Sequence, residues 1–156
     1  MDKSRNIYPK FLVPIYIVKK LTSIKAYNED DTIKEHICFR YIPGIGIKYR
    51  DTTTIKENVE GVEYILVPSY DDIFEWFRNR GFYFNIRYNF EENGTGIYDD
   101  NINWYFYELW IDDGEYGKIE RGYHKTYIQA REHLLNRIIE TCEEKYGNYP
   151  TKTTDI

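Results

Sequence analysis

Asn103-Trp104-Tyr105-Phe106-Tyr107-Glu108-Leu109-Trp110-Ile111 is the stretch whose reading decides the fold. Aromatic residues dominate it, Leu109 and Ile111 add to them, and such a composition favours a strand. With a period of two, Tyr105, Tyr107, Leu109 and Ile111 share one face, and Trp104, Phe106, Glu108 and Trp110 share the other. Asp112-Asp113-Gly114-Glu115 then forms a turn from residues that tolerate positive φ. Both faces of the strand are large and oily. A second layer must cover one of them, and the cover of the other is the open question.

The neighbours supply a sheet. Phe82 to Phe90 alternates, with Phe82, Phe84, Ile86, Tyr88 and Phe90 inward and Tyr83, Asn85, Arg87 and Asn89 outward. Glu91 to Ile102 is a loop rich in Gly, Asn and Asp, and Tyr116 to Gly122 is a short return strand. Before this hairpin lies a helix with clear punctuation. Ser69 is its N-cap, Asp71 and Asp72 occupy its first turn, and Gly81 closes it; Ile73, Trp76, Phe77 and Arg80 form its stripe. After the hairpin comes a long helix. Thr126 and Gln129 have capping-box spacing, Ala130, Leu134, Leu135, Ile138, Ile139 and Cys142 make an apolar face, and Gly147 with Pro150 stops it.

Further outward, Phe11 to Val18 reads as a strand covered on both sides, with Pro14 placing it at an edge or bulge. Lys19 to Lys34 reads as a loop with a helical turn, acidic at Asn28-Glu29-Asp30-Asp31. Glu35 to Ile42 and Ile45 to Tyr49 alternate around Pro43-Gly44 as a hairpin, with His36 and Cys38 on one face, and Val62 to Val67 is a further strand after the polar connection 51–61. The expectation is an α+β fold: an antiparallel sheet with two helices packed on one face, and N-terminal strands extending or covering that sheet. One domain would hold residues 1–156: a β-rich part (11–67), a helix–strands–helix part (68–147) and a loose tail (148–156).

Composition narrows the function. The chain has 156 residues with 26 acidic against 21 basic, a net charge of -5. That balance argues against nonspecific nucleic-acid binding, which needs a basic surface to release counterions. Cys38 and Cys142 lie far apart with no metal or redox spacing, which suits a reducing compartment. No apolar run reaches the roughly 20 residues of a membrane span, so a cytoplasmic setting is the expectation. Aromatic residues make up 18% of the chain, enough to ask what their surface is for.

Chemical motifs are few. His36 and Cys38 with His124 or His133 could be imagined around zinc, but there is no second close ligand pair, so neither a metal nor another cofactor is expected. Asp99, Asp100, Asp112 and Asp113 could gather carboxylates for a small enzyme, although Asp-Gly is above all a hairpin signal. No phosphate loop, nucleophile elbow or zinc-protease motif is present, and no catalytic residue is assigned. What remains is the second face of strand 103–111. Trp104, Phe106 and Trp110, beside Arg87 and Tyr83 of the neighbouring strand, are the candidate partner-binding residues, of the types that anchor interfaces. Two indoles and a phenyl represent roughly 10 kcal/mol between full exposure and full burial. Their cover is the chain's own N-terminal strands, a second copy, or another molecule.

Val67-Pro68-Ser69-Tyr70-Asp71-Asp72-Ile73-Phe74-Glu75-Trp76-Phe77-Arg78-Asn79-Arg80-Gly81 resembles the opening of a group of small uncharacterised α+β proteins of phages and mobile elements of gut anaerobes. Trp104 to Trp110 and Tyr127-Ile128-Gln129-Ala130 match their aromatic strand and final-helix entry, so the resemblance covers about residues 67–147. The hairpin plus final helix is also similar in pattern to HicB-like antitoxin domains. The resemblance implies an accessory gene product: an inhibitor of host defence, a regulator or a minor virion component. The leading expectation is a non-enzymatic protein that binds another protein, from the host or a second copy of itself. The rivals are a structural, oligomer-forming virion-associated protein and a small enzyme with dispersed acidic residues.

Overall fold

A computed structural model of the chain describes residues 8–50, 63–89, 103–112 and 117–146. These form two compact units, residues 1–76 and 77–156, with the division inside one helix. All strand pairing is antiparallel, in two separate three-stranded sheets, so the class is α+β.

The first unit opens with helices where strand and loop were expected. Phe11 to Val18 is not a two-sided strand: α1 spans Ile15–Ser23, and only Leu12 bridges, to Ser69. Pro14 starts the helix rather than bending a strand, because its fixed φ suits that position and its carbonyl accepts from Val18 N at 3.0 Å. The buried positions Val13, Ile17, Val18, Leu21 and Ile24 follow helical spacing. Residues 19–34 hold more helix than the single turn expected within a loop. They continue through α1 into α2 (Lys25–Asn28) and α3 (Asp31–His36). Asp30, in the acidic run, is the N-cap of α3, accepting from Thr32 N at 3.0 Å and Ile33 N at 3.3 Å. Its second carboxylate oxygen accepts from the Trp76 indole at 2.8 Å, and Tyr27 meets that indole edge-on at 5.4 Å.

His36 ends α3 instead of opening a strand, so its expected shared strand face with Cys38 does not form. The hairpin itself is present: β1 (Phe39–Ile42) and β2 (Gly46–Tyr49) pair Phe39 with Tyr49 and Tyr41 with Ile47, and Gly44 takes φ 83° in the turn. β3 (Ile65–Val67) pairs with the other edge of β1, giving the order β2-β1-β3. These strands make their own sheet and do not extend the second one.

Helix α4 (Tyr70–Arg78) has the caps read from its sequence. Ser69 Oγ accepts from Asp72 N at 3.1 Å, and Gly81 adopts φ 90°. Phe82 N donates to Phe77 O and Gly81 N to Arg78 O, a Schellman ending, and the Phe77 and Phe82 rings complete it at 5.3 Å.

The second unit is a sheet of order β4-β5-β6 under one long helix: β4 (Tyr83–Tyr88), β5 (Tyr105–Asp112), β6 (Gly117–His124) and α5 (Tyr127–Tyr146). The capping box forms, with Gln129 N donating to Thr126 Oγ1 at 3.1 Å and Thr126 N to Gln129 Oε1 at 3.3 Å. Ala130, Leu134, Leu135, Ile138 and Cys142 are fully buried where α5 crosses the sheet. Tyr107, Leu109 and Ile111 are buried as read. Asn89 is not outward: it is buried, donating from N to Trp104 O at 2.8 Å and from Nδ2 to Asn103 O at 3.0 Å. Among the described residues no helix is long and apolar enough to cross a membrane. The loop 91–102, the connection 51–61, the Asp113-Gly114-Glu115 turn, the Gly147/Pro150 stop and the tail 148–156 lie outside the described residues.

Candidate functional site

Register decides which side chains stand together on the face of β4–β6 turned away from α5. Tyr83 pairs with Trp110, and Trp110 with Ile119; Arg87 pairs with Phe106, and Phe106 with Tyr123. Paired residues point to the same side of a sheet. The rings of Phe106 and Tyr123 lie 5.4 Å apart, and Trp110 lays its indole over Gly117, where a Cβ would meet ring atoms at 2.0 Å. Tyr83 is 68% exposed, Tyr123 50%, Trp110 45% and Ile119 44%. Large apolar side chains therefore remain in water on this face.

One carboxylate sits at its centre. Glu108 Oε1 is 2.7 Å from Arg87 Nε, and Oε2 is 3.0 Å from Arg121 Nη2 and 3.1 Å from Arg121 Nε. The carboxylate is largely covered, while both guanidinium groups are about half exposed or more. The face thus carries two arginines for one glutamate, set among aromatic rings. Of the five expected binding residues, Tyr83, Arg87, Phe106 and Trp110 come together here.

Trp104 does not join them. It lies one residue before β5, and its ring is nearly parallel to Tyr88 at 6.2 Å. With Tyr88, Tyr105 and Tyr127 it lines an open groove at the end of the sheet. Ile119, Arg121 and Tyr123 were missed because the return strand was read without assigning its faces. The alternation Ile119-Glu120-Arg121-Gly122-Tyr123 carried that signal.

The helix-facing side holds a separate polar network. Arg137 grips Glu120 through Nε and Nη2, both at 2.8 Å, and also pairs with Glu140. The guanidinium hydrogen bonds hold the Glu120 carboxyl below the usual range despite burial. Burial first, then the Glu120 charge, pushes the Tyr107 phenol up. Tyr107 stacks on His124 at 5.9 Å, and His124 meets His133 at 4.2 Å; burial and that neighbour lower the His124 pKa. These contacts tie β5 and β6 to α5. His36 and Cys38 belong to the first unit, and among the described residues no three His, Cys, Asp or Glu gather as metal ligands. Asp99, Asp100 and Asp113 fall outside the described residues. Comparison with protein families, curated proteins and solved structures gives no match to this chain.

Proposed function

We propose that the protein works without catalysis, by binding another protein across the open face of β4–β6. The observation that carries this reading is the exposed set Tyr83, Trp110, Ile119 and Tyr123 around the Arg87–Glu108–Arg121 triad. Exposed Trp and Tyr side chains set around arginines are the usual anchors of an interface. Arg87 and Arg121 each keep about half or more of their side chain exposed although both pair with Glu108. The partner accordingly presents carboxylates among apolar side chains, which would steer association and fix register. The resemblance of residues 67–147 to phage and mobile-element proteins supports an accessory role, as an inhibitor of host defence or a regulator, in the bacterial cytoplasm.

The test is affinity capture from the cells that carry the gene, comparing the wild type with Tyr83→Ala/Tyr123→Ala. Both side chains are at least half exposed, so folding should be little changed. Loss of two anchors should weaken the captured complex by about 2 kcal/mol or more, roughly thirtyfold. A complex of unchanged affinity would remove this face from consideration.

A further inference from the structure

The groove at the end of the second sheet has a different chemistry. Tyr88 ends β4 and pairs with Tyr105 at the start of β5, and β6 ends beside them at His124. Lys125 and Thr126 then lead into α5 at Tyr127, so the starts and ends of four elements meet at one edge. Trp104 runs nearly parallel to Tyr88, at 17°; Tyr105 stands edge-on to Tyr88 at 5.4 Å and to Tyr127 at 5.9 Å. The groove is open to solvent and offers about 460 Å³, within the range of small-molecule sites. Tyr88 and Tyr127 keep 39% and 46% of their surface exposed, and Trp104 and Tyr105 are half-buried.

Charge selects the occupant. Lys125 lines the groove and has no ion pair with any described residue, while the Arg131 guanidinium lies 5.8 Å above the Tyr127 ring. No described carboxylate lines the space, although the chain as a whole is acidic. An aromatic cage for a cation is disfavoured by that lysine. The α5 terminus is not what holds the anion, since its capping box already answers part of it. A bare anion would leave the aromatic wall unused, and a neutral ring would leave Lys125 unused.

We propose that this groove binds a nucleotide, its base lying on the Trp104–Tyr88 wall and its phosphate on Lys125. Base–aromatic stacking is tolerant of base identity, and a lysine serves a phosphate as a point charge. A free mononucleotide and the end of a nucleic-acid strand both carry such a phosphate. The chemistry is shared between those sources. The site is distinct from the face assigned above to a protein partner, and neither depends on the other.

Titration of the full chain with AMP, GMP, CMP and UMP, followed by calorimetry, tests this directly. At least one should bind with a dissociation constant below about 1 mM. The matching nucleoside should bind about tenfold more weakly, as for loss of one charge-assisted hydrogen bond. Lys125→Ala should bring the nucleotide down to the nucleoside's affinity without changing the nucleoside. This lysine is exposed, so the variant keeps its fold. Trp104→Phe should weaken nucleotide and nucleoside alike. A 5′-phosphorylated tetranucleotide binding more tightly than the mononucleotide identifies a strand end, and equal binding identifies the free nucleotide. No binding at about 1 mM, or Lys125→Ala binding like the wild type, overturns the proposal.

Discussion

Gly117 and Gly122 lie in the same strand, yet what sits over each differs. A Cβ on Gly122 would stand 2.2 Å from the Tyr107 ring, which is buried beneath α5 and tied to Glu120. That ring has nowhere to go. Overpacking of this kind costs about 2–3 kcal/mol, the loss expected for Gly122→Ala in chemical denaturation. A Cβ on Gly117 would meet the outer edge of the Trp110 indole at 2.0 Å, but Trp110 is 45% exposed. Its ring can swing into water, so Gly117→Ala should cost less than about 1 kcal/mol. The same variant should still disturb partner capture, because it removes the seat that flattens Trp110 on the open face. Equal losses of stability at the two glycines would mean that the two rings are equally confined, against the exposure that defines the open face.

Between elements, the Glu120–Arg137 pair joins β6 to α5. Its pH dependence follows from the direction of the Glu120 shift. A carboxyl held below its ordinary 4.5 in the folded chain is stabilising above that value. The contribution is lost progressively as pH falls from 4.5 through the lower folded value. Glu120→Gln should therefore lower stability by about 1–2 kcal/mol at pH 7, partial exposure keeping it modest. The variant should also show a shallower decline of melting temperature below pH 4.5 than the wild type. An unchanged pH slope would assign the acid sensitivity to other carboxylates. The elements from α4 onward were legible in the sequence because their signals are local. Thr126 with Gln129, Ser69 with Asp72, and the alternation of Tyr107, Leu109 and Ile111 each work within a few residues. The N-terminal helices were not legible. Phe11 to Val18 is apolar without interruption, and such a run fits a two-sided strand as well as a buried helix. Only Leu21 and Ile24, beyond the run, give the helical period, and Asp30 reveals itself as a cap only once Trp76 claims its other oxygen. The candidate surface was half legible for a related reason. Period two places Phe106 and Trp110 correctly, but Trp104 precedes the paired part of β5, where alternation no longer dictates direction.

At the scale of the whole molecule, the two units divide α4 between adjacent residues. Trp76 packs with Tyr27 and Asp30 of the first unit, while Phe77 packs with Phe82 of the second. Both candidate sites lie in the second unit, on the outer face of its sheet and at its end. A structural, oligomer-forming role would use the outer face for a symmetric contact between copies. In such an isologous contact each residue patch meets itself. In each copy the Glu108 carboxylate is already shared between Arg87 and Arg121, so it offers the other copy's arginines no free partner. Guanidinium groups buried without a carboxylate of their own are strongly unfavourable. A partner that supplies its own carboxylates removes that penalty; a second copy does not. Sedimentation equilibrium should therefore give the monomer mass of 18.9 kDa over roughly two decades of concentration. It should do so equally for Tyr83→Ala/Tyr123→Ala. A concentration-dependent dimer that this double variant dissolves would make the face a self-interface and hand the function to the structural reading. A dimer that survives the substitutions would lie elsewhere on the chain and leave the open face to its acidic partner.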